Sequence, residues 1–197
     1  ANDMALYGGK LYIVVNVSST IEVIDFQTGV SIKQIPMLAE NGSSRQPRHI
    51  TFHKDKAYVC SYDGTVARID TTSLEIDALT KAGRNPENIC LDYSAGLGVD
   101  NTVSVIDITS FTEIKKVTVG PNPGCIVPGP DETVYVATHG NNIADGDFHF
   151  VKIDCRTDEV AHIYDEKVMN FAISGNIAYL YNYNYNTESS SIKVFNL

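Results

Sequence analysis

The 197-residue sequence has no tryptophan, and its four cysteines show neither C-x-x-C spacing nor the C-x-x-C-H pattern of haem attachment. No apolar run approaches the roughly 20 residues that span a bilayer, so we expect no transmembrane segment. Because the cysteines fall in predicted strands or at strand ends, we interpret them as small buried hydrophobic residues. They are Cys60, Cys90, Cys125 and Cys155.

Basic residues are also scarce, with 15 Lys and Arg against 24 Asp and Glu and a formal net charge of −9. Nucleic-acid binders usually carry a basic stripe, and here the basic residues never form a run, so we expect no nucleic-acid partner. The same acidity argues against binding to an anionic membrane surface. The chain passes from Ala1 almost directly into a strand-like pattern, so we expect that any export signal is absent from this chain.

Recognised catalytic motifs are missing as well. The sequence contains no G-x-S-x-G elbow, P-loop, H-E-x-x-H or G-x-G-x-x-G. The five histidines lie in different repeats or turns, so no local pair sets up a metal site. We therefore predict no catalytic residue and no metal, and we expect no cofactor.

An internal repeat is the strongest signal. Five segments align, and their terminal Asp or Asn residues are 45, 37, 47 and 42 positions apart, which is the spacing of a four-stranded propeller blade. We predict an all-β fold, a β-propeller of four-stranded antiparallel blades, forming a single domain over residues 1–197. The segments are 20–25, 65–70, 102–107, 149–154 and 191–196. The blade repeats are approximately 4–35, 45–82, 84–119, 121–164 and 167–197.

Each repeat divides into the same parts. Inner strands begin at a proline, whose missing N–H breaks no ladder bond there: Pro47, Pro86 and Pro123. A second strand carries a phased tyrosine at Tyr12, Tyr58, Tyr135 and Tyr179, and Ala95 is expected at that place in the third repeat. After the third strand an Asp is followed three residues later by Thr or Ser, a pattern that closes a turn locally. We interpret Asp25, Asp70, Asp107 and Asp154 as structural for this reason.

The sequence of Tyr-Val-x-[Asn/Ser/Thr], then Thr-Val-x-Val-Ile-Asp, then Asn-Pro resembles the YVTN-type β-propeller repeat of bacterial and archaeal surface proteins. Segments 102–107 and 122–123 show the second and third parts of this pattern. The resemblance covers nearly the whole chain. It implies an extracytoplasmic protein in the periplasm or at the cell surface, often seven-bladed and frequently a lipoprotein. It implies little about activity.

The repeat count predicts an incomplete ring. Propellers are normally closed by a blade that borrows a strand from the opposite terminus, and we find no spare fourth strand at either end. The third repeat is also short around residues 91–100. We expect about five visible repeats of a larger, seven-bladed propeller, with a closed five-bladed ring as the alternative.

The predicted top face holds the long and variable connections, and such loops often carry function. Residues just after the inner-strand prolines, and the residues at the same place in the fifth repeat, should ring the channel mouth. They are Arg48, His49, Glu87, Asn88, Gly124 and Cys125, with Met169 and Asn170 in the fifth repeat. Arg48 and Glu87 could form an interblade salt bridge or, alternatively, bind a small polar or anionic group. Further candidates on the top-face loops are His139, Asp145, Asp147, Tyr183 and Tyr185.

Two of these loops have competing interpretations. Segment 141–147 is rich in oxygen ligands but does not fit the calcium-loop spacing, which favours a solvated hairpin tip. Segment 182–186 alternates Asn and Tyr, which predicts either a strand extension or an exposed tyrosine patch for a glycan or protein.

We expect a non-catalytic extracytoplasmic propeller that binds or scaffolds a protein or glycan partner. The alternative is a lactonase-like propeller hydrolase in which Arg48, His49 and Glu87 act at the channel mouth. A quinoprotein-type dehydrogenase is less favoured, because those propellers commonly place tryptophan beside the quinone and this chain has none.

Overall fold

The computed structural model describes residues 1–90, 101–140, 148–184 and 186–197, and the backbone of residues 93–96. Within these ranges the chain forms 19 β-strands and no helix. The described part of the chain therefore contains no helix that is long and apolar enough to cross a membrane.

Strands β1 to β8 form the first two sheets. They are β1 (Asp3–Tyr7), β2 (Lys10–Val15), β3 (Thr20–Asp25), β4 (Ser31–Pro36), β5 (Pro47–His53), β6 (Lys56–Ser61), β7 (Thr65–Asp70) and β8 (Ile76–Lys81).

Strands β9 to β19 form the remaining three sheets. They are β9 (Pro86–Cys90), β10 (Tyr93–Gly96), β11 (Thr102–Asp107), β12 (Thr112–Thr118), β13 (Pro123–Gly129), β14 (Thr133–Thr138), β15 (His149–Asp154), β16 (Glu159–Tyr164), β17 (Asn170–Ser174), β18 (Ile177–Asn184) and β19 (Ser189–Asn196).

Sequential antiparallel strands make four sheets of four strands and a fifth of three strands, β17-β18-β19. The first strands of successive sheets contact one another in the order β1, β5, β9, β13, β17. They are the inner strands, and the sheets are the blades of a β-propeller, as predicted. We number the blades one to five in chain order.

The predicted inner-strand starts are confirmed, because Pro47, Pro86 and Pro123 are the first residues of β5, β9 and β13. The residue before each proline has a positive φ, at 55° for Gln46, 48° for Asn85 and 54° for Asn122. A following proline disfavours the right-handed helical region, and asparagine tolerates the left-handed one. The repeated Asn-Pro or Gln-Pro pair thus turns the chain sharply into the inner strands of blades two, three and four.

The predicted aspartate turns are confirmed in four blades. Asp25 Oδ1 accepts hydrogen bonds from the amides of Gln27 (3.1 Å) and Thr28 (2.8 Å). Equivalent bonds close the turns at Asp70, Asp107 and Asp154. The Thr28 amide, the nearest donor, is the main reason that the pKa of Asp25 is lowered. All four carboxylates close their own turns, and Asp70 also accepts a hydrogen bond from Lys56 Nζ at 2.8 Å. The turn bonds explain structurally why the aspartate recurs.

Blade three corrects one expectation. The phased tyrosine pairs with the fourth residue of the third strand, as Tyr12 pairs with Val23. On its other side it pairs with the inner strand, as Tyr12 pairs with Ala5. In blade three this position is Tyr93, which pairs with Cys90 and Val105, and Ala95 lies two pairs further along, opposite Asn88 and Val103. The β9–β10 hairpin is shorter than the others, because Tyr93 lies five residues after Asn88 whereas Tyr12 lies nine residues after Asp3. This shift displaced the tyrosine from the place that simple counting gave it.

The core lies between blades rather than within them. Tyr12, Val14 and Ile21 of blade one pack against Ile50 and Val59 of blade two. The same arrangement recurs between blades four and five, where Tyr135 and Phe150 pack against Phe171 and Leu180. In these two pairs, the face of the blade that carries the phased tyrosine packs against the next blade. The cysteines match their predicted role, since Cys60, Cys90 and Cys125 are buried free thiols and Cys155 is half-buried.

Candidate functional site

One position on the inner strand is polar or thiol-bearing in every blade. In each blade it lies two residues before the residue that pairs with the phased tyrosine, so it occupies the same level of each inner strand. We call this set the inner ring. Its members are Asp3, His49, Asn88, Cys125 and Asn170.

Asp3 and His49 join blades one and two. Asp3 Oδ2 lies 3.5 Å from His49 Nε2 and accepts a hydrogen bond from the Ile50 amide at 2.9 Å. Burial lowers the pKa of His49 and outweighs the opposing effect of the Asp3 charge. The imidazole is therefore neutral at pH 7, and the contact is a histidine–carboxylate contact rather than an ion pair. Among the described residues, His49 Nδ1 has no hydrogen-bond partner.

Cys125 and Asn170 join blades four and five. The Cys125 thiol donates to Asn170 Oδ1 at 3.2 Å, and this oxygen also accepts from the Phe171 amide at 2.8 Å. Burial raises the pKa of Cys125 to about 11 and that of Cys60, beside His49, to about 12. Because the thiolate is the reactive form, both side chains act as protonated packing groups at neutral pH.

Arg48 and Glu87 form the predicted interblade pair, one residue before the inner ring. Arg48 Nε and Nη2 donate to the two Glu87 oxygens at 2.7 and 2.5 Å. The Arg48 guanidinium also lies 5.3 Å from the centre of the Tyr62 ring. The hydrogen bond with Glu87 is the main cause of the raised pKa of Arg48. The pair is bidentate, so both charges are neutralised within the protein.

His139 lies in the seam between blades four and five. Its Nε2 is 2.8 Å from the Met169 carbonyl oxygen. The ring covers Gly124 so closely that a Cβ at that position would be 2.5 Å from His139 Cε1. Gly124 is thus required because it leaves room for the imidazole. His139 follows β14 directly, where the loop predicted to carry it begins, and it is a half-buried residue that bridges blades four and five.

The structure describes two of the remaining candidates. Asn88 lies on β9 in the inner ring, and Tyr183 is half-buried near the end of β18, paired with Ser190. The strand extension predicted for segment 182–186 is thus confirmed for Asn182–Asn184. Asp145, Asp147 and Tyr185 lie outside the described residues, as does the whole candidate loop 141–147.

Asp3 is the member of the site that sequence reasoning missed. Inner strands were located by their prolines, and no proline precedes Asp3. Counting back from the tyrosine would have found it, because Asp3, His49 and Asn170 each lie nine residues before Tyr12, Tyr58 and Tyr179.

The chemistry available at the inner ring is polar and close to neutral. In the ranges that the structure describes, no group of three His, Cys, Asp or Glu side chains is arranged to hold a metal ion. Arg48 and Glu87 satisfy each other, and His49 is neutral with a carboxylate on one side. The arrangement suits hydrogen bonding to an uncharged polar group better than binding of a free anion.

The fold and the inner ring define a β-propeller with a polar inner mouth. The chain matches no family model and no curated protein sequence. It is similar in structure to hydrazine synthase of Kuenenia stuttgartiensis, with a TM-score of 0.77 and 16% identity over 95% of this chain and 59% of that one. It is also similar to the computationally designed Ika8 protein, with a TM-score of 0.72 and 15% identity over 98% of this chain and 57% of that one.

The chain therefore spans less than two thirds of the length of either solved structure. At these identities the likeness concerns the fold alone. It supports the β-propeller assignment independently of the repeat pattern.

Proposed function

We propose that this chain is a non-catalytic binding or scaffolding module that acts outside the cytoplasm and takes a protein or glycan partner. The propeller fold is compatible with such a role in general. The extracytoplasmic location rests on the resemblance to YVTN-type surface repeats.

The observation that carries the non-catalytic part is the bidentate Arg48–Glu87 pair. A general base must lie within hydrogen-bond reach of its substrate and be oriented by a second group. Glu87 uses both carboxylate oxygens on Arg48, so it neither orients His49 nor faces a substrate. Arg48 and Glu87 bond each other. In the described structure, His49 has one buried ring nitrogen, Nδ1, without a hydrogen-bond partner.

Lactone hydrolysis tests the proposal directly. The purified chain should hydrolyse sugar lactones at the uncatalysed rate across pH 6–8. His49→Ala should leave that rate unchanged. Turnover that disappears in both His49→Ala and Glu87→Gln, with unaltered thermal unfolding, would establish the hydrolase instead.

A glycan array and an immobilised-protein pull-down test the binding role. Retention of a neutral oligosaccharide or of a specific protein, weakened by His49→Ala but not by Phe26→Glu, would support binding at the inner mouth. Phe26 is exposed and lies in the turn after β3, at the opposite end of the strands from Asp3. Fractionation of cells that express the natural gene tests the location, because a product found only in the cytoplasm would contradict the extracytoplasmic part.

A further inference from the structure

Two Asn-x-Ser triplets occur in this sequence, Asn16-Val17-Ser18 and Asn41-Gly42-Ser43. Asn-x-Ser and Asn-x-Thr are the acceptor motifs for N-linked glycans in exported proteins. The motif is short and arises often by chance, so the surroundings of each asparagine decide whether a sugar can be attached to it.

Asn41 lies in an exposed turn in the connection from β4 to β5, between blades one and two. Residues 40–44 are all exposed. Leu38 and Ser44 form a bridge across the base of the turn. The buried Arg45 follows this bridge, and its Nε donates to the Leu38 carbonyl oxygen at 3.1 Å. The turn is therefore held at its base while its tip is open to solvent.

The amide of Asn41 is oriented by its own motif. Its Oδ1 accepts hydrogen bonds from the Ser43 amide at 3.0 Å and from the Ser43 hydroxyl at 2.7 Å. Because a backbone amide can only donate, the oxygen and not the nitrogen of the side chain faces Ser43. Asn41 Nδ2 makes no hydrogen bond to any described residue of the protein. This nitrogen is thus the accessible end of the side chain.

The arrangement suits the attachment of a sugar to Nδ2. An amide nitrogen is a weak nucleophile until it loses a proton, and part of the negative charge then develops on Oδ1. The two Ser43 donors stabilise charge at that oxygen. Nδ2 attacks the anomeric carbon of a sugar that is linked to a lipid pyrophosphate. The new N–C bond forms as the C–O bond to phosphate breaks, the lipid pyrophosphate leaves, and a base of the transferase takes the Nδ2 proton.

Asn16 has the same motif in a different setting. It follows β2 directly and is half-buried. Its Nδ2 donates to the Pro47 carbonyl oxygen of blade two at 3.4 Å. The hydroxyl of Ser18 lies 2.8 Å from that of Thr20. The nitrogen that would take the sugar is therefore directed toward the next blade, and the fold protects it.

We propose that Asn41 carries an N-linked glycan and that Asn16 does not. This modification rests on the location outside the cytoplasm proposed above, because the motif is used in exported proteins. The glycan extends into solvent from the connection between blades one and two, and its attachment requires no rearrangement of either blade.

Mass spectrometry of tryptic peptides separates the two asparagines. Cleavage after Lys10, Lys33 and Arg45 places Asn16 in peptide 11–33 and Asn41 in peptide 34–45. In protein purified from cells that express the natural gene, peptide 34–45 should carry a glycan. Its occupancy should exceed that of peptide 11–33 by at least about tenfold, because a transferase reaches Asn16 only after local opening of the fold.

Substitutions within the turn test the motif itself. Ser43→Ala removes the hydroxyl and should abolish the glycan on Asn41, whereas Ser43→Thr should keep it. Ser44→Ala is the matched control, because Ser44 is an exposed serine of the same turn outside the motif. All three variants should unfold at the temperature of the natural chain.

A purified oligosaccharyltransferase with its lipid-linked donor tests accessibility independently of location. The folded chain should be modified at Asn41 and spared at Asn16. The free peptides 11–33 and 34–45 should both be accepted, because neither is protected by the fold. Equal modification of the two asparagines in the folded chain would contradict the protection of Asn16.

The natural protein separates failure of this proposal from failure of the proposed location. A chain recovered outside the cytoplasm with a bare peptide 34–45 would overturn the modification and leave the location standing. A chain confined to the cytoplasm would overturn the location and the modification with it. Conversion of Asn41 to aspartate without a glycan, as an Asn-Gly pair can undergo spontaneously, would also overturn the modification. Enzymatic release of glycans in heavy-oxygen water distinguishes the two, since only release then labels the new carboxylate.

Discussion

Breaking the Arg48–Glu87 pair should destabilise the fold through the loss of an interblade link. The side chains are 25% and 15% accessible, which places the pair between the surface and the interior. Exposed ion pairs contribute about 0.2–1 kcal/mol, whereas removing one partner of a buried pair costs about 3–5 kcal/mol. Two charge-assisted bonds in a bidentate arrangement at intermediate burial should therefore couple by about 1–2 kcal/mol.

A double-mutant cycle with Arg48→Met, Glu87→Gln and the combined variant measures this coupling. Urea is the suitable denaturant because it does not screen charge. Tyrosine fluorescence reports the transition without interference, since the chain has 11 tyrosines and no tryptophan. Each single change should lower the midpoint by about 0.5–1 M, given an m-value near 2–3 kcal/mol/M.

The Lys33–Glu75 pair is the matched control, because it also connects neighbouring blades, here one and two, but Glu75 is 69% accessible. Its cycle should give about 0.5 kcal/mol or less. A coupling between Arg48 and Glu87 no larger than that of the control would refute the reasoning. It would leave Glu87 free to serve a ligand at the inner mouth.

Two further outcomes are expected. Burial lowers the folded-state pKa of His49 below its ordinary 6.5, so the unfolded chain takes up the proton first and stability falls as the pH drops below about 6.5. In urea titrations between pH 7.5 and 5.5, His49→Gln should lose part of this pH dependence, and an identical slope in the variant would contradict it. A Cβ at Gly129 would lie 2.4 Å from Cε2 of the buried Tyr135, so Gly129→Ala should destabilise by about 1–3 kcal/mol. Adding Tyr135→Leu should reduce that loss, and an undiminished cost in the double variant would show that the clash is not the cause.

Much of the fold could be predicted because its signals are local. Alternating apolar residues specify strands, and the prolines fix where β5, β9 and β13 begin. The Asp25 turn is closed by amides two and three residues away. Such features depend on neighbours in sequence, so a repeat of them along the chain is sufficient to indicate a propeller.

Contacts of the candidate site could be predicted only where the same short motif, the inner-strand proline, showed which residues of two blades lie at the same level. Arg48 and Glu87 each follow an inner-strand proline, which put them at one level and suggested their pairing. His139 was assigned to a top-face loop, but nothing in its own segment indicates its contact with Met169, which is 30 residues away. Asp3 lacks the proline marker and was missed.

The sequence by itself thus determined the strands, their turns and the order in which sheets follow one another. The tertiary structure decided which side chains meet across blades, such as Cys125 and Asn170, which are 45 residues apart. It also decided burial, because Met4 and Ile50 occupy the same place in the same pattern yet only Ile50 is covered. The alternation of apolar residues shows which way a side chain points, whereas its burial depends on whether another blade lies on that side.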